Sequence, residues 1–478
     1  MRELAKSILG ATWSASLLGA QQMLGLLSPS RSGSGGSTVP LDRVSDAARR
    51  QAGATFDPVD SVLRLGNEIQ GSLVDLTGRG KMTDLFDPRT MVALSADVIQ
   101  RSFEGLRLSV DPRAAFDALR EVQNKLEVYV LVRQVGRLIG VPDQFPLPLL
   151  ELIHRCYDLT PFQALWAVEG LGHDYGDSYW DNGLVPRRLL TEGQGLALPE
   201  KSLLMMHAGV GLSIADHLLE DVSPRISSTE MRRIMAEIVG LCRDNSRPGF
   251  VGAAYESIGL VTRLFHPDLM PQVDAALREV DPSVVGFFWH GAGRAIYFRP
   301  VNFLPGSTWQ AFEMARREAP DTMARLNAVA GVTWAFVLVN QRQPELMANL
   351  LLAPHGDQLS GDSAFTNGLC SGVIMRADTT PEAPFIQTFL HYQPPDPRVA
   401  RLWEDLVRIP GEKALNVYYP ILKAEDRLGD LFHYGDLARL ASSLEGGQTP
   451  GAAGPAEPFL RGDPALEADP TPARGGDE

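Results

Sequence analysis

The 478-residue chain is long enough for two or three ordinary domains or for one extended repeat array. Its 44% hydrophobic and 21% charged content is that of a folded globular protein and excludes a wholly disordered one. A formal net charge of −14 excludes broad nucleic-acid binding, because neutralising phosphates needs a basic field that the chain lacks.

In chain order, residues 7–30 carry no charge and follow Arg2 and Lys6, as in the n-region of an export signal. Ser14, Ser16, Gln21 and Gln22 interrupt the apolar run, where a spanning helix needs about twenty predominantly apolar residues. Residues 1–30 are therefore expected to form an amphipathic helix, with Leu4, Ile8, Leu9, Trp13, Leu17 and Leu24 covering much of its surface. That helix should dock on a protein partner or a membrane surface, giving a cytoplasmic protein with peripheral membrane contact. Residues 31–40 form a Gly/Ser linker that tethers it, and 41–104 a helical N-terminal region opened by Asp57-Pro58.

The main body is expected over 105–440. A helix opens at Asp111-Pro112 and runs through Phe116, Leu119, Val122, Leu126, Val130 and Leu138, ending before Pro142. Another opens at Ser227-Ser-Thr-Glu230, which has the spacing of a capping box. Amphipathic helices are expected over 270–280 and 307–319. Period-2 strands are scarce, so the fold class is all-α. Residues 441–478, rich in Gly, Pro and Ala with an acidic excess, read as a disordered tail.

Glycine recurs within apolar stretches. Gly170, Gly209, Gly252, Gly291, Gly331 and Gly368 are spaced 39, 43, 39, 40 and 37 residues apart. That period predicts about six two-helix units of roughly forty residues, stacked as an α-solenoid-like array. Glycine costs about 1 kcal/mol relative to alanine inside a helix. Close approach of a neighbouring helix is the natural compensation, and no strand precedes these glycines as a phosphate-binding loop would require.

Three segments carry a resemblance: Arg247-Pro-Gly-Phe-Val-Gly-Ala-Ala-Tyr-Glu256, Phe288-Trp-His-Gly-Ala-Gly-Arg-Ala-Ile-Tyr297 and Val329-Ala-Gly-Val-Thr-Trp-Ala335. Together they resemble an uncharacterised bacterial family found beside enediyne polyketide biosynthesis genes. The resemblance spans about residues 160–375 and implies helical repeats in a natural-product or lipid-pathway setting. It supplies no catalytic residues. In that family the tyrosine-glutamate pair precedes the glycine, whereas here Tyr255-Glu256 follows Gly252.

Candidate chemistry rests on few residues. Glu169 and His173, with His207 or His217 as a third group, have the spacing of metal ligands on one helical face, although Asp, Tyr and Gly after Gly172 are also ordinary turn residues. Asp216-His217, and His290 with Arg294, are acid/base candidates. Arg294 would lower the pKa of His290, and in a linear stack His290 lies three units from Glu169. Gly368-Leu-Cys370-Ser-Gly372 has the form of a nucleophile elbow, with His355, His391 and Asp357 or Asp362 as partners, but its lead-in does not read as a strand. Cys156, Cys242 and Cys370 form no C-x-x-C pair, which points to a reducing compartment. No motif requires a cofactor. Trp166, Phe287, Phe288, Trp289, Tyr297, Trp334 and Phe336 would serve as core or as the lining of an apolar ligand groove.

The expected function is therefore a non-catalytic binding or scaffold protein for a protein partner or an apolar small molecule. The alternative is an enzyme, either a thiol hydrolase using Cys370 or a metal-dependent enzyme using Glu169 and His173.

Overall fold

A computed structural model of the chain describes residues 112–299 and 308–445, and among these residues there is no strand. The expectations for residues 1–30, 31–40 and 41–104, and for 446–478, lie outside the described residues. The chain divides into two compact units, 1–438 and 439–478, the second described only over 439–445. Those residues are helical, so the tail boundary expected at 440 falls inside a helix, Tyr434–Glu445.

The described part of the first unit begins with α1 (Pro112–Arg133), α2 (Val135–Leu138), α3 (Leu149–Tyr157) and α4 (Pro161–Asp181). The single helix expected across 112–138 is broken at Gln134, which leaves helical geometry at φ −125° and ψ 21°. Next come α5 (Leu203–Leu219), α6 (Ser228–Asn245), α7 (Val251–Phe265), α8 (Met270–Val280) and α9 (Val285–Tyr297). They are followed by α10 (Thr308–Glu318), α11 (Thr322–Asn340), α12 (Pro344–Leu352) and α13 (Ser363–Thr379). The Ser227 hydroxyl caps α6 by accepting from the Glu230 N–H at 3.2 Å. The Glu230 carboxylate does not return to complete the box, because Arg233 one turn later takes it. A complete capping box instead starts α4, between Thr160 and Gln163.

Each expected glycine lies on one of α4, α5, α7, α9, α11 and α13, and these helices pack against one another in chain order. A β-carbon on Gly209, Gly291, Gly331 or Gly368 would sit less than 3.0 Å from a backbone carbonyl of the preceding helix in the row, that of Glu169, Glu256, His290 or Ala330 respectively. Gly172, Gly211 and Gly293 face the following helix just as closely. The helix axes thus approach until backbones touch, and the dispersion attraction between them offsets the helix-propensity cost. Gly170 meets Val132 of α1, so the packing begins one helix earlier than the glycine period shows.

Helices α7, α9 and α11 run in the same sense. Tyr255 meets Phe287 early in α7 and α9, and Tyr297 meets Phe336 late in α9 and α11. Helix α4, however, runs against the later members: its residues Pro161, Phe162, Trp166 and Glu169 meet Arg376, Arg342, Phe298 and Arg294. The row therefore turns back on itself, and its first glycine helix is covered by its last three. A linear stack, in which His290 would be remote from Glu169, is not what the chain builds.

The covered helix α4 is buried almost all round, from Phe162 through His173. Helices α5, with residues 200–202 before it, and α11 are long and apolar enough to cross a membrane, but 83% and 78% of those stretches are buried within the fold. Of the aromatic set, Trp166, Phe288, Trp289, Tyr297, Trp334 and Phe336 are buried core residues, and only Phe287 is half-buried. After α13 follow α14 (Phe385–Leu390), α15 (Pro397–Trp403), α16 (Ile409–Lys413) and α17 (Tyr419–Ala424). π turns at Glu404–Arg408 and Ala414–Tyr418 precede Pro410 and Pro420, widening the helix where a proline ring would strike the carbonyl four residues earlier.

Two glycines test this packing. Gly291→Ala should destabilise the protein by roughly 1–3 kcal/mol, as overpacking does. Gly240→Ala, on α6 where nothing lies within 4 Å, should stabilise it by about 1 kcal/mol. Urea denaturation of the two variants reads the difference, and equal effects would contradict the close-approach account.

Candidate functional site

Where α4, α7 and α9 meet, the core holds an ionic cluster. Arg294 of α9 donates Nη2 to both carboxylate oxygens of Glu169 on α4 at 2.6 Å, and Nη1 to Glu256 Oε2 on α7 at 3.2 Å. None of the three is more than 3% exposed. Burial works against the Arg294 charge, but Glu169 and Glu256 outweigh it and hold the guanidinium pKa above its usual value. Burial raises the Glu169 carboxyl despite the opposing pull of Arg294. His290, one turn before Arg294, is lowered by burial, which outweighs the opposing pull of Glu256, and Arg294 adds to the lowering. Its Nδ1 lies 3.7 Å from Glu256 Oε1, too far for a hydrogen bond. Trp166 and Trp334 flank the guanidinium, with ring centres 5.8 and 5.0 Å from Cζ.

The metal-ligand set does not assemble. Glu169 is taken by Arg294, while His173 turns to Asp177 at 3.3 Å and Asp216 at 3.6 Å. His207 Nδ1 donates to the Leu203 carbonyl, its Nε2 accepts from the Arg247 N–H, and its ring stacks on Phe250. Burial lowers His207 to about 4, so it is a neutral strut between α5 and the turn before α7. His217 stacks on Trp180 at 3.9 Å. Among the described residues no group of three His, Cys, Asp or Glu is placed to hold a metal ion.

The nucleophile elbow is likewise replaced by ordinary helix. Cys370 lies mid-way along α13 with its thiol directed at the Pro410 carbonyl, and burial pushes it up to about 12. A thiol so protonated is a poor nucleophile near neutral pH. Its expected partners are engaged elsewhere. His355 meets Gln358 and the Trp309 ring, and His391 meets Gln387 and Glu412. Asp362 caps α13 and pairs with Arg316, and Asp357 pairs with Arg398. The small residues around Cys370 serve helix packing, as Gly368 does against Ala330.

A second polar cluster is half-buried. Residues 173–181, which also read as turn chemistry, are the last turns of α4, because Gly172 and Gly176 are contact points for α5 at Met206 and Ser213 and do not end the helix. There His173 bridges Asp177 and Asp216, and Arg133 lies 3.5 Å from Asp216. Burial raises Asp174 to about 6. Burial opposes a charge on His173, but Asp216 and Asp177 more than compensate and its pKa is raised. This cluster ties α1, α4 and α5 together and can hold and release a proton.

The sequence reading missed Gln194, whose side chain donates to the Leu147 carbonyl and accepts from the Leu149 N–H, joining the α4–α5 connection to the start of α3. A lone glutamine in a Gly-rich loop gives no pattern by which to find it. No protein-family model, curated protein or solved structure matches the chain.

Because His173 titrates higher in the fold than its ordinary 6.5, its contribution is complete below about pH 6.5 and is lost as pH rises through the folded value. The stability gap between the unaltered protein and His173→Gln, from urea midpoints, should therefore be widest at pH 6 and shrink toward pH 9. A gap that stays constant over that range would contradict the His173–Asp216 assignment.

Proposed function

We propose that the chain is a non-catalytic binding protein whose partner is another protein, engaged at the surface around the α4–α5 connection. The supporting observation is the placement of exposed apolar side chains. Of nine large exposed hydrophobics among the described residues, Leu138, Phe145, Leu150, Leu184, Val185 and Leu196 fall in two short segments, 138–150 and 184–196. Gln194 stitches these segments together. Tyr179 joins them again, packing edge-on against Phe145 at 5.0 Å while its carbonyl accepts from the Leu184 N–H.

Exposed apolar groups gathered in this way, with Arg187, Arg188, Glu192 and Glu151 around them, have the anatomy of a protein interface with an apolar centre and a charged rim. The apolar N-terminal segment, residues 1–30, would supply a second contact with the partner or a membrane surface. The resemblance to the family beside enediyne biosynthesis genes supports an accessory role in a natural-product or lipid pathway. The unreactive thiol and the dispersed histidines favour this reading over hydrolysis or metal catalysis.

A triple variant, L184E/V185E/L196E, should keep the melting temperature of the parent chain, since all three side chains are exposed. Quantitative affinity purification from the native host should recover a partner with the parent chain and lose it with the variant. Recovery of the same partner at the same level with the variant would contradict the proposal.

A further inference from the structure

Arg376, on the last turns of α13, is fully buried, yet no carboxylate among the described residues pairs with it. Its Nη1 donates to the Pro161 carbonyl at 3.1 Å and its Nη2 to the Leu338 carbonyl at 3.0 Å. Its Nε has no partner. Phe162 and Phe385 lie against it, with ring centres 5.5 and 5.4 Å from Cζ. A buried cation is ordinarily paired, because carbonyl dipoles and aromatic faces recover only part of its lost hydration.

Two further groups point to what completes the site. Arg342 stacks on the same Phe162 ring at 3.4 Å, and its Nε is also without a partner. Its Nη2 bonds to Glu127 at 2.7 Å and Asn124 at 3.1 Å, and its side chain is 27% exposed, so this end of the cluster reaches solvent. Gln341 lies one helical turn beyond Leu338, on the same face, and is fully buried with neither amide atom hydrogen-bonded. Glu127 offsets one of the two guanidinium charges, leaving the cluster with one uncompensated positive charge beside unused N–H donors.

We propose that Arg376, Arg342 and Gln341 form a binding site for a small oxyanion, a carboxylate or phosphate group, which approaches past Arg342 and balances the charge of Arg376. Guanidinium groups suit planar or tetrahedral oxyanions because several N–H donors converge on adjacent oxygens. Arg376 is the buried charge that selects an anion, Gln341 adds an amide donor, and Arg342 guards the entrance. The site is separate from the Glu169–Arg294 cluster, whose guanidinium already has two carboxylates, and from the apolar surface proposed for a protein partner.

The test is calorimetric titration of the full chain with inorganic phosphate and, separately, with sodium acetate, at ionic strength held constant with chloride. Saturable binding of one anion per chain is expected, and the stronger of the two identifies phosphoryl or carboxylate chemistry. Arg342→Ala and Gln341→Leu should each weaken it about tenfold, equivalent to about 1.4 kcal/mol. Gln341→Leu carries a further readout: if the amide served folding alone, an apolar replacement of similar size would leave anion affinity unchanged. Arg376→Met should abolish binding and Arg376→Lys retain part of it. If either Arg376 variant fails to fold, the other two decide the matter. No saturable heat with either anion at millimolar concentration, or affinity unchanged in Arg342→Ala and Gln341→Leu, would overturn the proposal.

Discussion

The fold depends on one guanidinium held between two carboxyl groups. Arg294 bonds to Glu256 on the adjacent helix and to Glu169 on a helix 125 residues earlier in the chain. Contacts along the row of glycine helices are local and would permit many curvatures. The Glu169–Arg294 bond closes the row, because burying either group without the other would leave an unpaired charge in the core. Around it the tryptophans pack as Trp166 against Trp334, edge to face at 6.4 Å, so the closing contact is aromatic as well as ionic.

Glycine makes that closure possible. Where a β-carbon would meet a carbonyl of the next helix, only glycine lets the axes come close enough for the side chains of α4 to reach α9, α11 and α13. The ends of the row are then fixed by polar groups. His173 with Asp216 and Arg133 ties α1, α4 and α5 at one end, and Arg376 ties α13 to Pro161 and Leu338 at the other.

Much of this arrangement was legible in the sequence. The glycine period located six helices, and helix 270–280 was placed to the residue, with Met270, Val273 and Leu277 buried along it. The sequence could not show which way the row bends. That depends on Glu169 and Arg294 meeting across 125 residues, and no local pattern distinguishes a buried glutamate from a solvated one. The candidate chemistry misled for a related reason. Glu169, His173 and His207 have ligand-like spacing, yet residues four apart on a helix share a face only locally, and each found a different tertiary partner. Cys370 sits in a glycine pattern that two structures share, a strained elbow and a tightly packed helix, and only the preceding backbone separates them.

A double-mutant cycle on Glu169→Gln and Arg294→Met, read by urea denaturation at pH 7, tests the closing ion pair most directly. If the two groups stabilise the fold through each other, the double variant should lose less than the sum of the singles, by about 1 kcal/mol or more. Losses that add to within about 0.5 kcal/mol would show that the pair does not hold the row closed.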